Sequence, residues 1–314
     1  MRTPIVGLHH VTAIASDPQQ NLDFYTGVLG LRFVKRTVNF DDPGTYHFYF
    51  GDDTGTPGTI LTFFPWPGAQ RGHRGAGETI ATAFSIPAGS LDYWRERLAT
   101  KGIATGENTF FGGTHLSFSD PDGMVLELVE HSEARPTKAP RYSDVPAEYA
   151  IQGFFGTTLL EVSLMRTQAL LGLMGYRKLS QEGDRSRFAP EGDARGRFLD
   201  IVVDKQAHPG LMGAGTVHHI AFRTTDDGAQ VDWQQELSRN VSVTPVQDRS
   251  YFHSIYFREP GGVLFEIATD APGFLIDQSV ESLGEALRIP EWFEPQRAQI
   301  EARIEPITLQ VQRL

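Results

Sequence analysis

The sequence predicts an α+β fold made of four βαβββ modules in two domains, and three repeated patterns carry that expectation. Two histidine pairs stand in matching frames, Leu8-His9-His10-Val11 running to Asp17 and Val217-His218-His219-Ile220 running to Asp226, with the second histidine seven residues before the aspartate each time. The turn Ser119-Asp120-Pro121-Asp122-Gly123, followed by Met124 to Glu127, recurs as Glu259-Pro260-Gly261-Gly262 followed by Val263 to Glu266. Leu173-Met174-Gly175-Tyr176-Arg177 echoes Val28-Leu29-Gly30-Leu31-Arg32. Self-similarity of this kind marks a repeat architecture, and it governs how every element is read.

Module one, 7–66, opens with a strand from Leu8 to Ala15. Asp17 is a helix N-cap with Pro18 in the first turn; Leu22, Phe24, Tyr25 and Leu29 form an apolar face, and Gly30 ends the helix. Three strands follow, Leu31 to Val38, Tyr46 to Phe50 and Thr59 to Phe64. Module two, 77–131, has a strand from Thr79 to Ile86, a helix begun by Ser90 with Leu91, Trp94 and Leu98 at helical spacing, and Gly102 as its stop. Module three, roughly 151–204, opens with Phe155 to Val162 and carries no histidine there. Module four, 215–270, ends in the Glu259 turn, where proline fixes φ at one corner and glycine permits positive φ at the other.

These modules divide the chain into 1–134, a linker at 135–150 whose Arg135 to Pro146 stretch is rich in proline and charge, a second domain at 151–270, and a C-terminal packing tail at 271–314. A length of 314 residues suits two domains with real cores. The net charge of −11 without a basic run argues against nucleic acid or an anionic membrane as partner. The absence of cysteine excludes disulfides, a thiolate nucleophile and an iron–sulfur cluster. Met1 to Pro4 has no charged-then-apolar leader and no apolar run is long enough to span a bilayer, so a cytoplasmic location is expected.

Two histidines and a carboxylate with open positions beside them form the facial triad associated with non-haem Fe(II) and oxygen. One histidine from each pair and Glu266 supply such a set. Glu266 lies in an otherwise apolar strand (Val263, Leu264, Phe265, Ile267), where an ionised carboxylate is costly unless paired or ligated. Neighbours on a strand point to opposite faces, so His9 and His10 are not both ligands, and alternation alone does not choose between them.

The four modules, the His…Asp frame and the Gly-x-x-x-Glu endings resemble the vicinal oxygen chelate superfamily, which includes glyoxalases, fosfomycin-resistance proteins and extradiol dioxygenases. The resemblance implies that the ligand lies seven residues before the aspartate, selecting His10 and His219, with Glu266 as the matching acid. The corresponding positions in modules two and three, Ala81 and about Thr157, cannot bind a metal, so modules one and four are expected to share the metal cleft. Modules two and three then form a metal-free cleft in which Glu127 and Asp200 hold the acid positions. In module one that position is Thr62, where a glyoxalase-type site takes a carboxylate.

More narrowly, the chain resembles the ring-cleaving hydroquinone dioxygenases of the chlorohydroquinone and methylhydroquinone type over nearly its full length. The residues concerned are Gly27 to Arg32, Lys35 to Asn39, Asp41 to His47, Gly58 to Pro65 and the Arg249-to-Glu266 hairpin. The resemblance implies Fe(II), or Mn(II) in its place, on His10, His219 and Glu266. It places His9, Arg249 and Tyr256 around them, Arg249 stabilising negative charge and Tyr256 and His9 donating or relaying protons. The window Gln247-Asp248-Arg249 lacks the histidine of catechol-cleaving relatives, which favours a hydroquinone over a catechol.

The expected function is therefore an Fe(II)-dependent dioxygenase that opens a hydroquinone-type ring, with a small aromatic and O2 as partners and homo-oligomerisation left open. The alternatives are a glyoxalase-like metal-dependent isomerase or lyase, a catechol extradiol dioxygenase, and a non-catalytic ligand-binding protein. Phe48, Phe63, Phe64 and Trp66 are candidates for an apolar pocket shared with the core, His47 and His253 are candidate pocket residues, and His218 is read as structural.

Overall fold

The structure, a computed structural model, describes residues 3–133 and 138–309. Residues 134–137, which include the head of the expected linker, and 310–314, the end of the expected tail, lie outside the described residues, as do 1 and 2.

Each expected module is present. Module one is β1 (Leu8–Ala15), α1 (Pro18–Gly27), β2 (Arg32–Val38), β3 (Tyr46–Gly51) and β4 (Ile60–Pro65). Module two is β5 (Glu78–Ile86), α2 (Leu91–Thr100), β6 (Gly106–Phe110), β7 (Gly113–Ser119) and β8 (Val125–Glu130). Module three is β9 (Phe154–Glu161), α3 (Met165–Leu173), β10 (Arg177–Glu182), β11 (Arg185–Ala189) and β12 (Phe198–Val203). Module four is β13 (Val217–Thr224), α4 (Asp227–Leu237), β14 (Gln247–Asp248), β15 (Phe252–Arg258) and β16 (Leu264–Pro272).

Local chemistry sets the helix starts. Asp17 and Asp226, the two aspartates of the repeated frame, each accept a backbone N–H three residues on, from Gln20 and Ala229, satisfying donors that the first helical turn leaves without partners. Ser90 departs from expectation: its hydroxyl makes no capping bond, and Glu130 from β8 accepts the Leu91 N–H instead at 3.0 Å. A long-range carboxylate has taken the cap's place, which local sequence cannot signal.

The modules pair across the two expected domains. One eight-stranded sheet runs β14-β15-β16-β13-β1-β4-β3-β2 and the other β10-β11-β12-β9-β5-β8-β7-β6. Modules one and four thus join through antiparallel β1 and β13, and modules two and three through β5 and β9. The β1–β13 seam brings the two histidine pairs together. Apolar residues such as Val11, Leu61, Phe63, Ile220 and Phe265 are buried in one continuous core with Phe84, Leu126 and Leu159 of the other sheet.

The C-terminal stretch does more than cover a surface. Phe274 packs its ring 5.1 Å from that of Tyr49 and 5.0 Å from that of Tyr251. The buried Lys35 ammonium donates to the Phe274 carbonyl at 3.2 Å, to Asp277 at 2.5 Å and to Gln278 at 2.7 Å, because a buried cation needs each of its protons engaged. The tail therefore backs the sheet that carries the histidines.

Candidate metal centre

His10 projects from β1, His219 from β13 and Glu266 from β16, and all three are buried. His10 Nε2 and His219 Nε2 lie 3.3 Å apart, and Glu266 Oε2 lies 3.3 Å from the first and 2.9 Å from the second. Although Oε2 is this close to two ring nitrogens, it receives no hydrogen bond of good geometry and is a buried acceptor without a partner. A triangle of this size matches one face of a first-row coordination shell, in which bonds of ~2.1 Å set ligand atoms ~3.0–3.4 Å apart. The three residues can hold a metal ion, and they form the one such histidine and carboxylate group found among the described residues.

The charges fit as well. Burial opposes ionisation of Glu266, but His10 and His219 beside it outweigh that and hold its carboxyl well below the usual range. Burial lowers His219 and, with His10 assisting, drives His9 far below its ordinary value. Burial likewise pushes His218 down to about 3. A neutral His219 imidazole beside an ionised carboxylate is the state that metal ligation requires.

Strict alternation fails at both histidine pairs, and the backbone shows why. In the β1–β13 ladder, Leu8 pairs with Phe222 and His10 with Ala221, so His9 is an extra residue; farther along, Thr12 pairs with His219 and Ala13 with Val217, so His218 is extra on the other strand. Such bulges re-aim side chains, and here each brings the first histidine of a pair beside the second. His9 Nδ1 lies 2.9 Å from His10 Nδ1, and His218 Nδ1 lies 2.7 Å from His219 Nδ1. His9 also hydrogen-bonds the backbone of Thr269. A His9 that donates its Nε2 proton to that backbone carbonyl can accept at Nδ1 from His10 Nδ1–H, the tautomer in which His10 Nε2 presents a lone pair.

A cavity of about 420 Å³ opens against this triangle, lined by His10, His47, Tyr49, Phe64, Trp66, His218, His219, Arg249, Phe252, Tyr256 and neighbouring polar residues. It falls within the size range of small-molecule sites. Phe64 and Trp66 line it, whereas Phe48 and Phe63 are fully buried in the core. His9 is not on its wall. It stands behind His10 with its ring 5.0 Å from that of Phe252.

Tyr256 pairs directly across the hairpin with Glu266, as the ten-residue spacing implied. Burial, reinforced by Glu266, raises its phenol above the ordinary value, so it stays protonated. Arg249 Nε donates to the Tyr256 oxygen at 3.1 Å and Nη2 to Asp41 at 3.2 Å. Burial works against the Arg249 charge, but Tyr256, Asp41 and Glu266 outweigh it and raise the group further.

Of the other candidates, His47 reaches the cavity, with its ring nitrogens 2.9 Å from Tyr49 Oη and 2.9 Å from Thr62 Oγ1. Thr62 in turn donates to Thr12 at 2.9 Å. His253 does not line it; its Nδ1 lies 2.6 Å from Asp227 on the outer side of the sheet. His218 lines it and was missed, because its bulge is a backbone irregularity that leaves no mark in composition. Asn39, Phe40, Asp41 and Asp42 also line it from the β2–β3 connection, whose course over the site is not a periodic signal.

The other sheet shows what the same geometry becomes without histidines. Its acids lie in the register of Glu266, with Glu127 opposite Ala83 and Asp200 opposite Thr158, as Glu266 is opposite Ala221. Two residues earlier, where His10 and His219 stand in the first sheet, are Ala81 and Gly156; the module-three position is thus Gly156, one residue from the expected Thr157. Glu127 pairs with His115 at 2.7 Å, Asp200 takes Arg187 at 2.8 and 2.9 Å and Arg185 at 3.0 Å, and the space among them is only about 10 Å³. Asp200→Ala strands two cations in this packed region and is expected to cost about 3–5 kcal/mol in chemical denaturation. Metal affinity at the other sheet should be unchanged; a loss below 1 kcal/mol, taken as roughly the surface-pair range, would contradict the buried-pair reading.

Residues 7–128 match the family described as Glyoxalase/Bleomycin resistance protein/Dioxygenase superfamily. The chain is 47% identical over 308 residues to the protein of Bacillus subtilis named "Putative ring-cleaving dioxygenase MhqO", covering 98% of each. It is 34% identical to the chlorohydroquinone/hydroquinone 1,2-dioxygenase of Sphingobium indicum, covering 92% of this chain and 93% of that one. A crystal structure titled as a putative dioxygenase from Bacillus subtilis superposes with a TM-score of 0.94 at 46% identity, covering 98% of this chain and 99% of that one.

Proposed function

Because the chain belongs to the glyoxalase, bleomycin resistance protein and dioxygenase superfamily, we propose that it is an Fe(II)-dependent ring-cleaving dioxygenase that opens a hydroquinone-type aromatic with O2. The observation that carries the reading is the buried His10, His219 and Glu266 triangle facing a cavity walled by aromatic rings. Relatives named for ring cleavage of hydroquinones, similar over nearly the whole chain, support the substrate class. In this reading 1–134 carries modules one and two and 151–270 carries modules three and four, 135–150 joins them, and 271–314 is the packing tail.

His10, His219 and Glu266 would hold a ferrous ion, which when bound would supply the redox chemistry that O2 needs to react with an electron-rich ring. The protein's own residues do the rest. Phe64, Trp66 and Phe252 hold the ring and exclude water. Arg249, kept cationic and steadied by Asp41 and Tyr256, faces negative charge that develops on oxygen. Tyr256 accepts a hydrogen bond from Arg249 and keeps its own proton, so it donates at its Oη. The place of His9 behind His10 suits orientation of the ligand better than proton transfer to substrate.

His9→Ala is therefore expected to weaken metal binding by about 10–100-fold, the usual cost of losing such an orienting partner, with the fold retained. Calorimetric titration with Mn(II) checks this, and wild-type affinity would contradict it. Metal analysis of protein purified anaerobically tests the reading as a whole. One iron per chain is expected, and protein that neither carries nor takes up a divalent ion would overturn it.

A further inference from the structure

We infer that Ser254 is a positioning residue that commits Glu266 to presenting a single oxygen to the metal, keeping one more coordination position open for substrate or O2. The inference rests on the metal reading above and deepens it.

Ser254 lies on β15 and is fully buried, and its Oγ donates to Glu266 Oε1 at 2.5 Å. The other oxygen, Oε2, is the one close to the two Nε2 atoms and left without a hydrogen bond. The two oxygens of one carboxylate are thus assigned different tasks. A hydroxyl has only one proton to give, and although the Tyr256 phenol is also a neighbour of Ser254, the short approach to Oε1 directs that proton to the carboxylate. A buried, charge-assisted bond of this kind resists rotation of the carboxylate toward bidentate binding.

The duplicated half of the sheet shows that the arrangement is built into the fold. Tyr49 pairs with Thr62 across β3 and β4 as Tyr256 pairs with Glu266 across β15 and β16. Two residues before each tyrosine stands the side chain that holds the residue at the acid position, His47 on Thr62 and Ser254 on Glu266. The module-one copy ties down a threonine that offers no charge, whereas the module-four copy ties down one half of a carboxylate and leaves the other half exposed to the ion.

Three single-atom ligands leave about three of six positions to water in an octahedral ion, and a bidentate glutamate leaves about two. Water-proton relaxation of the Mn(II)-loaded full chain, read with the same protein in 17O-enriched water by pulsed electron resonance, counts these waters without any assay of turnover. The wild type is expected to hold about three exchangeable waters, Ser254→Ala about two with relaxivity lower by roughly a third, and Ser254→Thr, which keeps the hydroxyl, the wild-type number. Tyr256→Phe should also keep that number, which separates Ser254 from its phenol neighbour. Equal hydration of wild type and Ser254→Ala, or a wild type already at two, would overturn the inference and leave the metal reading standing. Failure of the wild type to bind Mn(II) or Fe(II) would overturn both.

Discussion

Replacing Glu266 by alanine is expected to abolish metal binding while the fold survives. Glu266 is the one acid in the ligand triangle and is wholly buried, so its loss leaves two imidazoles with no anion to offset a dication. The fold does not depend on the ion, because the sheet is closed by the β1–β13 seam and by a core of residues such as Val11, Leu61, Ile220 and Phe265. Metal content should fall to background and the proposed oxygen-consuming activity with it, while the circular dichroism spectrum and a cooperative urea transition show a folded chain. His10→Ala and His219→Ala should behave alike. Full occupancy in any of the three would show that the ion sits elsewhere.

The second large effect is expected at Tyr256. Tyr256→Phe removes one oxygen from a buried ring whose packing against His219, 5.6 Å between centroids, is otherwise retained. Metal affinity and substrate binding should change little, and turnover should fall by about 10², the scale of a positioned proton donor. Arg249 loses a hydrogen-bond partner in this variant but keeps Asp41, so its charge stays near the cavity. A fall in KM-controlled binding with kcat preserved would assign Tyr256 to substrate holding instead.

How far the sequence carried these conclusions differs from residue to residue. The convergence of His10, His219 and Glu266 was legible because a duplicated module repeats its frame, and a histidine present in two copies and missing from the others points to which modules meet. Tyr256 was legible because a hairpin of known turn fixes cross-strand partners by counting. His218 and the true setting of His9 were not, because alternation assumes an unbroken ladder and both residues are bulges. His253 was read as a pocket candidate on the strength of its strand, yet it turns outward to Asp227. Asn39 to Asp42 reach the cavity from a connection whose path depends on tertiary packing, and the Glu130 cap on α2 joins elements 39 residues apart. Local pattern holds no record of either.

The central claim is that this cavity joins O2 to a dihydroxylated ring. Oxygen-electrode measurement on iron-reconstituted protein, with product analysis in 18O2, tests it most directly. With a hydroquinone the account predicts one O2 consumed per ring opened and both labelled atoms in the product. No oxygen uptake with any dihydroxybenzene, together with conversion of a glutathione hemithioacetal, would contradict it.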